Sequence, residues 1–127
     1  MAETKFYICP VCGKIIGVIN ATPCPTKCCG QDMVPLVPGT TDASLEKHVP
    51  VVNVEGNLVK VNIGSVDHPM LAEHSILWVY LQTDKGGQRK NLAVGEAPAA
   101  EFALTADEKP IAVYAYCNLH GLWKTDI

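Results

Sequence analysis

Ile111-Ala-Val-Tyr-Ala-Tyr-Cys117-Asn-Leu-His120 reads as a β-strand that runs without a break into a Cys-x-x-His pair. Its β-branched and aromatic residues favour an extended chain, and its end delivers a thiol and an imidazole from a single turn. Working outward, residues 76–82 (Ile-Leu-Trp-Val-Tyr-Leu-Gln) are apolar on both faces, as expected of a central strand covered on both sides. Val59, Val61 and Ile63 share one face of a further strand, Val52 and Val54 alternate in the one before it, and Glu55-Gly56-Asn57 turns between the two. Asp84-Lys85-Gly86-Gly87 makes another turn, followed by a weaker strand at 88–94. No segment carries a sustained, capped helical period. Short strands separated by turns predict an all-β, immunoglobulin-like antiparallel β-sandwich over residues 38–127.

Residues 1–37 need a different explanation. So short a segment cannot bury enough apolar surface to hold itself together and needs a staple or a partner chain. Residues 5–19 read as strand, knuckle, strand: Lys-Phe-Tyr-Ile, Cys-Pro-Val-Cys-Gly-Lys, Ile-Ile-Gly-Val-Ile. A loop at 20–33 and a linker at 35–44 lead into the main domain. Of six cysteines in the chain, five lie here: Cys9, Cys12, Cys24, Cys28 and Cys29.

The 127 residues carry a net charge of −3, which argues against a general nucleic-acid binder. No apolar run reaches the roughly 18 residues that span a bilayer, and the first ten residues do not read as a secretory signal. A chain retained in a reducing cytoplasm would use its cysteines as ligands rather than as disulfides. Adjacent Cys28 and Cys29 agree, because neighbouring cysteines bridge only with severe strain.

Cys9-x-x-Cys12, fifteen intervening residues and Cys28-Cys29 supply four thiolates in two local pairs, a set suited to tetrahedral zinc or iron. The adjacent pair should force a tight sulfur–metal–sulfur angle. Pairing Cys24 with Cys28 or Cys29 is the alternative. A structural zinc site satisfies the spacing as well as an iron centre does.

The four histidines, His48, His68, His74 and His120, all sit beside turn or loop residues, and Cys117 joins His120. Four neutral imidazoles and one thiolate exceed zinc's usual four ligands and point to iron. An axial thiolate pushes electron density toward the group opposite, as in thiolate-ligated haem. Glu46 and Lys47, just before His48, are expected on a mobile loop over the open position, where a lysine draws in an anion.

Together these residues resemble the desulfoferrodoxin family, the two-domain form of superoxide reductase. The resemblance spans essentially the whole chain: Cys-Pro-Val-Cys-Gly at 9–13, Cys-Cys-Gly at 28–30, Glu-Lys-His-Val-Pro at 46–50, His-Pro-Met at 68–70, His74, and Cys-Asn-Leu-His-Gly at 117–121. It implies two irons per chain. Cys9, Cys12, Cys28 and Cys29 would hold one in a desulforedoxin-like N-terminal domain. His48, His68, His74 and His120, with Cys117 axial, would hold the catalytic one. It further implies one-electron reduction of superoxide to hydrogen peroxide, Lys47 guiding superoxide and helping protonation, and Glu46 binding the oxidised iron. A cytoplasmic homodimer re-reduced by rubredoxin or a similar donor completes the expectation. A non-catalytic iron electron-transfer protein and a zinc-ribbon module are the competing readings. Cys24 is a thiol that the family pattern does not require.

Overall fold

The computed structural model describes residues 3–127; residues 1 and 2, the first of the expected N-terminal domain, lie outside the described residues. The chain divides into two compact units between Val37 and Pro38.

The first unit is a cysteine-held knuckle. β1 (Lys5–Ile8) pairs antiparallel with β2 (Ile15–Val18); β3 (Lys27–Cys28) pairs with β4 (Gln31–Asp32); β5 (Val34–Pro35) closes on the other edge of β1. Phe6 and Met33 are its buried apolar side chains, with Cys9 buried beside the knuckle. So small a core agrees with the need for a staple. The linker expected at 35–44 begins later than predicted. Val34 and Pro35 register with Ile8 and Tyr7, because the open edge of β1 offers ladder partners to any extended segment that reaches it.

The second unit starts with α1 (Leu45–His48), one helical turn where a mobile loop was expected. Glu46 lies in its first turn and Lys47 and His48 in its last, which suits the helix dipole. Then come β6 (Pro50–Glu55), β7 (Leu58–Ile63), β8 (Ile76–Thr83), β9 (Gly86–Asn91), β10 (Ala99–Ala103), β11 (Pro110–Cys117) and β12 (Gly121–Asp126). They form two antiparallel sheets, ordered β10-β7-β6 and β12-β11-β8-β9. The expected all-β sandwich is therefore present. Alternate residues of β7 (Val59, Val61, Ile63) and of β10 (Ala100, Phe102) meet Val79, Leu81, Val113, Ala115 and Cys117 in one core. β8 lies between β11 and β9, and its second face is apolar because Trp78 stacks on Tyr116 and Tyr80 meets Tyr114 edge-on across the β8–β11 ladder.

Strands β10 and β12 were not read from the sequence. β10 is three-fifths alanine and presents one large apolar side chain, so its alternation is nearly silent. β12 carries Lys124, Thr125 and Asp126 and has little hydrophobic pattern of its own. The strand expected at 88–94 runs instead from Gly86 to Asn91, tightening its hairpin with β8 to the pair Thr83–Gly86.

Candidate metal centres

In the first unit, Cys9, Cys12, Cys28 and Cys29 place four sulfurs within 4.8 Å of one another. Two sulfur separations, Cys12–Cys28 at 3.7 Å and Cys28–Cys29 at 3.9 Å, match the edge of about 3.8 Å of a tetrahedron with 2.3 Å metal–sulfur bonds. The tight angle expected for the adjacent pair does not arise. Cys29 takes a positive φ of 52°, which swings its side chain round to a normal edge length, and Gly30 continues the turn at φ 73°. Cys24 is exposed and outside this group, its sulfur 3.9 Å from the Pro25 carbonyl.

The sulfurs are electrostatically unequal. Cys12's backbone amide, 3.5 Å from the Cys9 sulfur, helps hold the Cys9 thiol down to about 6. Hydrogen bonding with the sulfurs of Cys9 and Cys12 pushes Cys28 up to about 12. Four thiolates this close repel one another, and a bound cation is what allows all four to lose their protons.

In the second unit, β11 and β12 are joined by three residues, Asn118-Leu119-His120, between the paired Cys117 and Gly121. Gly121 has φ 77°, the left-handed residue that such a three-residue hairpin needs at its end. A register shift between Tyr116 and Cys117 sets the cysteine against Ile76 at the start of β8. His48 ends α1, His74 forms an isolated bridge with Leu71, and His68 follows β7, its amide donating to the Ile63 carbonyl at 2.8 Å.

These four rings stand at the corners of a square. Going round it, centroid separations are 4.6 Å (His48–His68), 4.6 Å (His68–His74), 5.1 Å (His74–His120) and 4.9 Å (His120–His48). Neighbouring planes lie 78–87° apart, whereas His48 and His74, 6.3 Å apart, are inclined by 32°. His48 therefore faces His74 across the square, and His68 faces His120. His48, His74, Cys117 and His120 offer ligand atoms within 4.8 Å of one another, and His68 joins through its Nε2, 3.1 Å from that of His48.

Three observations test whether these residues fit a metal ion. His48 Nδ1 lies 2.7 Å from the Ser44 carbonyl and His68 Nδ1 2.7 Å from the Pro69 carbonyl, so each carries its proton on Nδ1. Both Nε2 atoms are then lone pairs facing each other at 3.1 Å, an arrangement that repels unless a cation lies between them. His74 Nε2 is buried with no hydrogen-bond partner. Finally, the 3.1 Å separations of His48 Nε2 from His68 Nε2 and from His120 Nδ1 match the roughly 3.0 Å between neighbouring corners of a square of nitrogens 2.1 Å from a metal.

The electrostatics agree with that fit. Burial pulls His68 down to about 4 and also lowers His48 and His74, which keeps these three imidazoles neutral and ready to ligate. Burial raises the fully buried Cys117 thiol, against the amides of Leu119 and His120 that point at its sulfur. Its sulfur is 3.8 Å from His120 Nδ1. No carboxylate joins the group among the described residues. Glu46 is exposed and accepts from the Ser44 hydroxyl at 3.4 Å, and Lys47 is exposed on the same turn.

Family models for the desulfoferrodoxin N-terminal domain and for desulfoferrodoxin match residues 2–36 and 40–126. The chain belongs to the desulfoferrodoxin family. It is 45% identical to a desulfoferrodoxin homolog of Archaeoglobus fulgidus, covering 95% of each chain. It is 43% identical to the desulfoferrodoxin of Nitratidesulfovibrio vulgaris, covering 98% of this chain and 97% of that one. Among solved structures it is similar to the superoxide reductase from Treponema pallidum (TM-score 0.83, 42% identity), covering 98% of this chain and all of that one. With the donor chemistry of the two sites, this membership gives two irons per chain, one at the four-cysteine group and one at the histidine–cysteine group. No helix among the described residues is long and apolar enough to cross a membrane.

Several supporting groups carried no sequence signal. The Ser44 and Pro69 carbonyls fix the imidazole tautomers, and a main-chain acceptor leaves no trace in residue type. Trp123 Nε1 donates to the His120 carbonyl at 3.1 Å while its ring lies 4.9 Å from His48. Asn118 stands within the Cys-Asn-Leu-His-Gly motif, but residue type alone does not show that its side chain bonds Glu73 and Ser75.

Proposed function

We propose that the chain is a superoxide reductase: superoxide takes one electron and two protons and leaves as hydrogen peroxide. The observation that carries this reading is the square of four imidazoles with one buried thiol and, among the described residues, no carboxylate, a donor set that leaves a ligand position free. Ferrous iron, when bound there, supplies the single electron. We assign His48, His68, His74, His120 and Cys117 as the residues that would hold it. Cys9, Cys12, Cys28 and Cys29 are assigned to the second iron, in a domain ending at residue 37.

The surrounding residues do the rest. The neutral imidazoles add no charge, so the only charged donor is the Cys117 thiolate, which would raise electron density at the metal. The amides of Leu119 and His120, aimed at that sulfur, stabilise its negative charge and moderate how much it donates. Lys47 precedes a ligand, and its charge is felt at both His48 and His74. A fixed cation at the rim of the site attracts a small anion and offers a proton as negative charge develops on it. Glu46, exposed on the same turn, is assigned as the residue that would bind the iron in its oxidised state.

The proposal extends to a cytoplasmic homodimer re-reduced by rubredoxin or a similar small redox protein, with the four-thiolate iron either relaying electrons or stabilising the fold. Stopped-flow mixing of the ferrous protein with superoxide tests the reaction. One iron oxidised per superoxide, with peroxide formed and no dioxygen, is the expected outcome. Dioxygen release would mean dismutation, and no reaction would leave a non-catalytic iron electron-transfer protein.

A further inference from the structure

Asn118 makes three hydrogen bonds to the two residues that flank His74. Its side-chain oxygen accepts from the Ser75 amide at 3.0 Å, its side-chain nitrogen donates to the Glu73 carbonyl at 3.0 Å, and its own amide donates to the Ser75 carbonyl at 3.2 Å. The carboxamide thus stands in for a peptide group, pairing on one side with residue 73 and on the other with residue 75. Cys117 pairs with Ile76, so Asn118 continues the β11–β8 ladder past its bulge and carries it round the histidine.

His74 needs this more than its three partners do. His48 and His68 are each oriented by a ring nitrogen bonded to a carbonyl, and His120 sits in a three-residue hairpin closed by Gly121 with its carbonyl tied to Trp123. The inward nitrogen of His74 is buried and unpartnered, and its main chain is held by a single bridge to Leu71 and by the Asn118 clamp. Ser75 is buried, so losing the acceptor would strand its amide away from water.

We infer that Asn118 is a positioning residue that ties the Cys117–His120 hairpin to His74, setting the fourth corner of the histidine square for ferrous iron. This rests on the ligand assignment proposed above. Because Asn118 lies on the surface, its removal leaves the apolar core intact.

The test is ferrous iron affinity at the histidine–cysteine site, measured by chelator competition, with the absorption of the four-thiolate centre as an internal control of folding. Asn118→Ala should weaken binding by about 10–100-fold, the usual effect of losing a group that orients a ligand. Asn118→Asp keeps the acceptor for Ser75 and loses the donor to Glu73, so it should fall between Ala and the native chain. In a His74→Ala background, Asn118→Ala should add nothing, while in a His68→Ala background its effect should persist in full. Affinity within twofold of native in Asn118→Ala, or an equal loss whether or not His74 is present, overturns the inference. Failure of the native chain to bind ferrous iron at that site would instead overturn the ligand assignment.

Discussion

Gly64 is the position where one added methyl group should press on the backbone of the candidate catalytic residues Glu46 and Lys47 without altering their side chains. A Cβ there would stand 2.6 Å from the Glu46 carbonyl oxygen, 3.0 Å from the Lys47 carbonyl carbon and 3.0 Å from the Val49 carbonyl oxygen. All three are backbone atoms and cannot rotate aside. To reach the 3.0–3.4 Å at which such contacts are tolerated, α1 must move by 0.4–0.8 Å relative to residue 64. The same turn holds α1 in place, the Val66 amide and the Ser65 hydroxyl both donating to the Glu46 carbonyl, at 2.9 and 3.2 Å. Gly64→Ala pushes on the segment that those bonds retain. Overpacking of this kind costs about 1–3 kcal/mol. In a unit this size, that lowers the melting temperature by about 5–20 °C. A displacement approaching 1 Å can cost two orders of magnitude in rate, so half of it should slow superoxide reduction by roughly tenfold. Thermal melts followed by circular dichroism, with stopped-flow kinetics on the loaded protein, measure both effects. Gly56→Ala is the control: its Cβ meets nothing within 4 Å and its φ of 60° strains only the β6–β7 turn, so the chain loses stability but not rate. A Gly64→Ala protein that melts and reacts like the native chain, or a Gly56→Ala protein that loses rate to the same degree, would refute the reasoning.

Three further outcomes are expected. Lys47→Ala should react with superoxide about tenfold more slowly and with a weaker dependence on ionic strength, since an attractive charge is lost; an unchanged salt slope would contradict its steering role. In the metal-free protein, His68 is held to about 4 by burial while its unfolded value is about 6.5. Between those values the unfolded chain binds the proton and the folded one does not. Stability is therefore complete above pH 6.5, falls as the pH drops through that window, and levels off below about 4; His48 and His74 shift in the same direction. Urea midpoints that stay flat between pH 6.5 and 4 would rule this out. Cys24→Ser should leave the absorption of the four-thiolate centre unchanged, because that sulfur lies outside the group of four; bleaching of the centre would make Cys24 a ligand.

The parts of this architecture that were legible in the sequence are those in which side-chain identity and spacing carry the information. Val59, Val61 and Ile63 declare a strand face by alternation, and Cys117 with His120 declares a shared turn by the two residues between them. β10 stayed hidden because Ala99, Ala100 and Ala103 do not distinguish inside from outside, and the burial of Ala100 and Phe102 follows from pairing with β7 rather than from composition. α1 stayed hidden because a single turn is too short to show a period. Its helical form follows from contacts with residues 64–66, twenty positions downstream, and no local pattern encodes them.

The candidate catalytic site divides along the same line. Which side chains gather could be read from the four histidines and Cys117, but their order round the square could not. Nor could the sequence say that His48 and His68 turn Nε2 inward while His120 presents Nδ1. That choice decides whether a histidine is a ligand or a bystander, and it is made by the Ser44 and Pro69 carbonyls at 2.7 Å. A main-chain acceptor is common to all residues, so substituting Ser44 or Pro69 would leave the carbonyl in place and disturb the site only by moving the backbone. His74 has no such carbonyl and depends on a side chain, Asn118, whose loss a point mutation can impose. The corner of the square held by a side chain is therefore the one where single substitutions should tune metal affinity, and the two corners held by main-chain carbonyls should resist them.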